Sequence, residues 1–418
     1  MTEAECGKIL DTALDAGLLL LNSGAEMRRV EEVVVRMAAS YGVNVKKSSY
    51  SVTNGLMVSY DDESAGIHLS KIRQVPPGIS TRLDQMVLVN QLSRDVAEGK
   101  YSVEEAGEEL ERISAKKSLS LWIRFIFAGM ASAAFVFLLG GGFTEVIPAF
   151  LGGALSYAFV SATGQKFSRM ISNLFGGIIF ALIALLWVLI FKNTPVSYEK
   201  ILTGAMMPLI PGLSFTNGFR DFGNGDYLSG TVRLIDALVF FAVTAAGASM
   251  IFILARVFGL NVPENVAATG IDNFAFQLLM AFVGTISFVI MFELPWKFVF
   301  FGGLCGVISW GVYLLTYPML GLAFATFLSI VAMCFVARVF STVLRCPLTG
   351  FLVPGIIPIV PGSALFFMVF YLTAPSLRAA ALKGLDALII CGALMLGIAV
   401  VNGIPQGFFK WFRKPFSK

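Results

Sequence analysis

The spacing of apolar and polar positions changes character twice along this chain. Over residues 3–22, Ile9, Leu10, Ala13, Leu14, Leu18 and Leu21 recur at three- and four-residue steps, which predicts an amphipathic helix. Asn22-Ser23-Gly24 breaks it. A second helix over 24–41 sets Val30, Val33, Val34, Met37 and Ala38 against Glu26, Arg28, Arg29, Glu31, Glu32 and Arg36, and Gly42 closes it. The period then shortens. Residues 43–52, 55–60 and 66–72 are short, β-branched or aromatic, and Thr53-Asn54-Gly55 and Asp61-Asp62-Glu63 separate them as hairpin turns would. Val75-Pro76-Pro77-Gly78 ends this three-stranded sheet, and helices over 80–98 and 102–117 complete a small α+β domain. From Leu119 the apolar runs lose their polar face. They predict membrane spans near 119–140, 146–163, 170–192, 199–218 and 228–256, then near 272–292, 296–316, 319–340, 348–372 and 378–402.

The charges fall the same way. Residues 1–117 carry 32 charged side chains, 18 acidic and 14 basic, whereas residues 118–418 carry 26, 9 acidic and 17 basic. With 56% hydrophobic residues and a mean hydropathy of +0.78, the chain is no ordinary soluble enzyme. The fold class expected is an α-helical polytopic membrane protein of about ten transmembrane helices with a small N-terminal α+β domain. The expected boundaries are 1–117 for that domain, 118–258 and 268–405 for two membrane halves, and 406–418 for a basic tail. The net charge of +4 comes from the membrane part, where Lys and Arg set orientation, so it does not signal nucleic-acid binding. The acidic start Met1-Thr2-Glu3-Ala4-Glu5 is unlike a signal peptide. With the N-terminal domain inside, the inner loops carry Lys166, Arg169, Arg220, Lys297, Arg338 and Arg345, and the tail adds Lys410, Arg413, Lys414 and Lys418. Lys192, Lys200, Arg256, Arg378 and Lys383 are left outside, so both termini are expected in the cytoplasm. Trp411 beside Phe408 and Phe409 suits an interfacial anchor.

The two membrane halves repeat one another. Pro208-Leu209-Ile210-Pro211-Gly212 returns 150 residues later as Pro358-Ile359-Val360-Pro361-Gly362. At the same offset Arg233, Asp236, Ala237 and Leu238 answer Lys383, Asp386, Ala387 and Leu388, and Gly152-Gly153 answers Gly302-Gly303. This argues for an internal duplication, and five spans per unit would place the second upside down, a 5+5 inverted repeat. Two prolines three residues apart cannot sit in an unbroken helix. In a bilayer such a break survives where it is buried in protein or lines a wet cavity, and matched breaks in two halves point to a transporter's binding site. The plainer reading is a pair of helix ends at the membrane surface.

Candidate substrate- and ion-binding residues follow. Pro208, Pro211 and Gly212, with Pro358, Pro361 and Gly362, make half-helices whose free amides attract carboxylates and whose free carbonyls attract ammonium groups or cations. Behind the first break lie Ser214, Thr216, Asn217, Arg220 and Asp221; behind the second, Ser363 precedes Phe366-Phe367, so the halves are chemically unequal. Asp236 and Asp386 lie inside apolar spans, where a lone charge is expensive. Arg233 and Lys383 precede them by three, on the same helical face, and each pair is either a local ion pair fixing helix depth or a site for a zwitterion, an anion or a coupling proton. Asn173 and Gln277 read as interhelical hydrogen bonds. His68 is the only histidine and reads as a surface or core residue. Cys6, Cys305, Cys334, Cys346 and Cys391 show no ligand spacing, and the last four read as small apolar residues. No metal or cofactor is called for. No Walker loop is present, so drive would come from an ion gradient or from the substrate's own gradient.

Asn22-Ser23-Gly24-Ala25-Glu26 before an amphipathic helix resembles the start of the threonine/serine exporter family. So does Leu209-Ile210-Pro211-Gly212 with Thr216-Asn217, Arg220-Asp221 and Gly225-Asp226. The second half looks like the smaller partner that some bacteria encode separately, here fused, so the resemblance covers nearly the whole chain. It implies a bacterial inner-membrane exporter of about ten spans, with a cytoplasmic N-terminal domain, moving threonine and serine by the proton-motive force. Split-gene relatives are associated with succinate export, and the sequence does not choose between the substrates. The expected partners are a small-molecule substrate, protons and the lipid bilayer, without nucleic acid; homo-oligomerisation stays open. A membrane-anchored enzyme is the competing class, but an anchor needs neither ten spans nor a duplicated broken helix. A channel or a scaffold would differ in showing uncoupled flux or none.

Overall fold

A computed structural model describes residues 1–45, 49–52, 55–64, 66–74, 81–164, 166–260, 270–373 and 376–412. The turn residues Thr53 and Asn54, the segment Val75–Gly78 and the basic residues Arg413, Lys414 and Lys418 lie outside them, as does the side chain of Lys410. The chain divides into two compact units. One comprises Met1–Ser118, Thr216–Leu234 and Phe292–Pro295; the other holds Leu119–Phe215, Ile235–Met291 and Trp296–Lys418.

The first unit opens with α1 (Glu3–Asn22), whose N-cap Thr2 and Glu5 form a reciprocal capping box. Its end explains the break expected at 22–24. Gly24 takes φ 87, its amide donates to Leu21 O, and the Ala25 amide donates to Leu20 O, a Schellman close that only a residue free to adopt positive φ makes cheaply. Helix α2 (Met27–Ser40) starts three residues later than its pattern implied, because that close occupies residues 23–25. Strands β1 (Ser49–Val52), β2 (Gly55–Asp62) and β3 (Ile67–Gln74) form an antiparallel sheet in the order β1-β2-β3, with Gly55 opposite Gln74 and Asp62 opposite Ile67. Leu56 and Val58 are buried, and Lys71 and Arg73 of β3 pair with Asp11 of α1 at 2.6 and 2.7 Å. Exposed His68 contacts Asp61 at 3.1 Å on the surface. Helices α3 (Leu83–Ala97) and α4 (Val103–Ala115) pack on α1 and on each other.

The second unit follows the apolar runs. Helices α5 (Leu121–Leu138), α6 (Phe143–Thr163) and α7 (Arg169–Ile190) are single spans. The next run is broken, with α8 (Tyr198–Ala205) ending in a 3-10 turn over Met207–Leu209 and α9 (Gly212–Gly223) following it. Helix α10 (Tyr227–Val257) completes the first set, although residues 216–234 of α9 and α10 belong to the first unit. The second set repeats the order: α11 (Phe274–Met291), α12 (Trp296–Leu344), the broken pair α13 (Thr349–Ile356) and α14 (Gly362–Thr373), and α15 (Leu377–Asn402). A short α16 (Gln406–Trp411) follows. Seven of the described helices are long and apolar enough to cross a membrane. At 1.5 Å per residue, the 49 residues of α12 would reach about 74 Å, more than twice a hydrocarbon core. Gly321, at φ 69, breaks that length into two helices across a kink. Helix α5 packs on α6 and α11, and α12 on α11, α13 and α15.

The intramembrane polar residues divide. Gln277 joins three helices, donating to Phe137 O at 3.0 Å and accepting from Trp310 Nε1 at 3.1 Å. Asn173 instead turns back on its own helix and donates to Arg169 O, and the interhelical bond expected of it is not made among the described residues. Cys305, Cys334 and Cys346 are buried and Cys391 is half-buried, and none of the four is in a disulfide among the described residues.

Candidate functional site

Both proline breaks have one backbone design. The Leu209 amide donates to Met206 O and the Ile359 amide to Ile356 O, closing the helix before each break. The Gly212 amide then donates to Ile210 O at 2.8 Å and the Gly362 amide to Val360 O at 2.7 Å, a three-residue turn centred on Pro211 in one half and Pro361 in the other. The next helix begins when Phe215 N reaches Pro211 O and Leu365 N reaches Pro361 O. All three bonds recur at an offset of 150, the offset of the sequence repeat. Pro208 sits in the 3-10 turn and Pro358 at the matching place.

The two breaks also face each other within the second unit. A β-carbon on Gly362 would stand 2.5 Å from Ile210 Cδ1, and one on Gly212 would stand 3.7 Å from Ile357. Beside this crossing lies a crevice of about 210 Å³ lined by Ile210, Pro211, Phe240, Phe241, Phe366 and the hydroxyl-bearing Thr244. Only about 10 Å³ of it admits the centre of a water-sized sphere, room for about one water, so the breaks are closed around little more than a recess. Ser214 and Ser363 follow the breaks, half-buried.

Four of the predicted polar residues gather elsewhere, in the first unit. Asn217, Arg220 and Asp221 lie on α9, and Arg233 lies on α10 after a tight turn with Gly225 at φ 85. All four are at least 96% buried. Arg220 pairs with Glu26 at 2.6 Å, and Arg233 Nε with Asp221 Oδ2 at 3.3 Å. Asn217 donates to Gly24 O at 2.7 Å, Arg233 to Ala25 O at 2.9 Å, and the Met27 amide to Asp221 Oδ1 at 3.4 Å. This corrects the pair expected between Arg233 and Asp236. The three-residue spacing puts them on one face, but the turn before α10 brings Asp221 to the guanidinium. Half-buried Asp236 is left with the more distant charge of Arg169. The matching pair does form, with Lys383 3.8 Å from Asp386, both more than 40% exposed. The halves are thus chemically unequal here too.

Glu26 was not a candidate from sequence, where it reads as one more polar residue of an amphipathic helix. It stands at the N-cap of α2 without capping it, and its carboxylate goes to Arg220 instead. A second ionic group lies in the same unit. Arg82 pairs with Asp84 at 2.9 Å and with Glu293 at 3.1 Å, Lys116 pairs with Asp84 at 3.0 Å, and the Leu83 amide donates to Phe292 O. Burial pushes the Asp84 carboxyl up, but hydrogen bonds and charge from Arg82 and Lys116 outweigh it and hold it below 3.8. In the second unit, Tyr371 of α14 donates to Glu199 of α8 at 2.5 Å, tying the two broken runs together, and buried Glu145 accepts from the amides of Gly142 and Ser197.

Comparison with known proteins agrees over nearly the whole length. A family model described as "Putative threonine/serine exporter" matches residues 11–255, and one described as "Threonine/Serine exporter, ThrE" matches residues 277–404. A threonine/serine exporter of Corynebacterium glutamicum is 22% identical over 370 residues, covering 86% of this chain and 74% of the relative. An uncharacterized protein of Schizosaccharomyces pombe is 25% identical over 188 residues, covering 42% of this chain and 22% of the relative. No solved structure matches. With the first family model spanning more than half of its length and the second taking up the repeat, this multi-pass membrane chain belongs to the threonine/serine exporter family.

Proposed function

We propose that this exporter moves threonine and serine, driven by the proton-motive force, across the inner membrane of a bacterium, with both termini in the cytoplasm. The observation that carries the reading is the crossing of the two breaks, each centred on a proline turn and each with its glycine against an isoleucine at or beside the other. Half-helix ends beside a recess give a carboxylate amides and an ammonium group carbonyls without any charged side chain, and a small apolar recess suits a short side chain better than a long one. Pro208, Pro211, Gly212 and Ser214, with Pro358, Pro361, Gly362 and Ser363, are the residues of this site. Asp236, half-buried and free of an ion pair among the described residues, is the group suited to carry the coupling proton. The repeats span 118–258 and 268–405 in opposite orientations, with 1–117 a cytoplasmic domain and 406–418 a basic tail.

The test is counterflow in proteoliposomes preloaded with unlabelled threonine, serine or succinate, with and without an imposed pH gradient. Saturable uptake of labelled threonine or serine, enhanced by the gradient, is the expected result. Uptake of succinate alone would replace the amino acid by a dicarboxylate. Absence of counterflow with all three, from folded protein, would end the reading.

A further inference from the structure

Segment 24–27 meets α9 and α10 through four polar groups. The Gly24 and Ala25 carbonyls accept from Asn217 and Arg233, the Met27 amide donates to Asp221, and the Glu26 carboxylate sits on Arg220. As chemistry, this is a carboxylate, two carbonyls and an N–H held by two guanidinium groups, a carboxamide and a carboxylate. A free amino acid offers the same complementarity, a carboxylate for arginine and an ammonium group for aspartate. Three more polar atoms on the same two helices, Thr216 Oγ1, Asn217 Oδ1 and Ser229 Oγ, are buried without a hydrogen-bond partner among the described residues. Each unmade bond is costly, so these atoms hold hydrogen-bonding capacity that the segment does not use. The capacity is there for a ligand with more polar groups than the segment supplies.

We propose that residues 24–27 act as a built-in pseudo-substrate, occupying a site for the zwitterion of a small amino acid formed by Asn217, Arg220, Asp221 and Arg233. The transported amino acid enters this site by displacing them. The proposal rests on the amino-acid reading of the exporter. It explains why Glu26 leaves its own helix uncapped, and why the segment is pinned on either side by the Schellman close of α1 and the start of α2. A tethered competitor acts at an effective concentration of about millimolar, so the site would fill only when the free amino acid is abundant, as suits an exporter that must not drain a scarce pool.

The experiment uses the full chain in proteoliposomes, with its five cysteines replaced and Ala25→Cys introduced. Ala25 is 1% exposed, so a thiol there reacts with a maleimide only when the segment leaves. A ligand that binds only the open state multiplies the open population by one plus its concentration over Kd, so threonine at ten times Kd should speed labelling about tenfold. Serine should act likewise, and succinate, which has no ammonium group for Asp221, should not. Unchanged labelling in a preparation that performs threonine counterflow overturns the proposal and leaves the transport reading standing. Accelerated labelling without counterflow does the reverse. Acceleration by succinate alone also overturns the proposal. Should Ala25→Cys fail to fold, hydrogen exchange at amides 24–27 of the unaltered protein separates the same outcomes: faster with threonine supports displacement, and slower or unchanged overturns it.

Discussion

Helices α7 and α10 approach closely through a reciprocal pair of glycines, and this contact makes the sharpest stability prediction. A β-carbon on Gly177 would lie 2.2 Å from Thr244 O, and one on Gly247 would lie 2.1 Å from Leu174 O. Both obstacles are backbone atoms of the facing helix, so no rotamer change relieves them. Restoring a carbon–oxygen contact of about 3.3 Å requires the helices to part by about 1 Å. Overpacking of this kind costs about 1–3 kcal/mol, and the loss of small-residue packing falls where lipid offers little to replace it. Gly392 of α15 is the control: a β-carbon there meets nothing within 4 Å, so alanine adds only helix propensity, worth up to about 1 kcal/mol. Apparent unfolding midpoints of the purified protein, taken at one heating rate, should fall for Gly177→Ala and Gly247→Ala and hold or rise for Gly392→Ala. Because Thr244 also lines the recess at the breaks, the first two should lose counterflow activity beyond their loss of folded protein. If all three substitutions behave alike, the close approach of α7 and α10 is wrong.

Other substitutions test other links. Asp236→Asn should cut pH-gradient-driven uptake about tenfold or more while sparing counterflow; equal gradient stimulation in mutant and parent would remove Asp236 from coupling. Asp386→Asn leaves the Lys383 ammonium without its pair in the apolar helix α15 and should lower the unfolding midpoint in thermal melts; an unchanged midpoint would show that the pair contributes nothing. Pro211→Ala and Pro361→Ala restore an amide within each break and should slow counterflow more than they lower the unfolding midpoint. Asp84 has a folded-state pKa below its unfolded one, so it stabilises above about pH 3.8 and loses that contribution as the pH falls through its depressed value. Melts at descending pH should therefore show a steeper acid decline in the parent than in Asp84→Asn.

Much of the architecture is legible in the sequence because apolar patterning reports directly on burial. The helices of the N-terminal part, its three strands and the ten apolar runs follow from period and length alone, and the duplicated proline motif exposes both breaks. Long-range pairing is not written in that code. Spacing places Arg233 and Asp236 on one face, yet a turn with Gly225 decides that the guanidinium meets Asp221. Nothing local links Glu26 to Arg220, 194 positions away, although the two stretches that carry the family resemblance are the two that meet there. Asn173 shows the converse limit: an intramembrane amide can find its partner on its own helix rather than on a neighbour.

The first compact unit draws on three separate stretches of chain, and this bears on how the protein can be taken apart. A fragment cut after Ser118 would keep every helix and strand that the N-terminal pattern predicts. It would also leave Glu26 without Arg220, and Arg82 with Asp84 but without Glu293. Such a fragment should be soluble, sticky toward oppositely charged surfaces and short of the stability it has in place. Modularity drawn from hydropathy is therefore a poor guide to where this protein can be divided, and dissection should keep residues 216–234 with the N-terminal part.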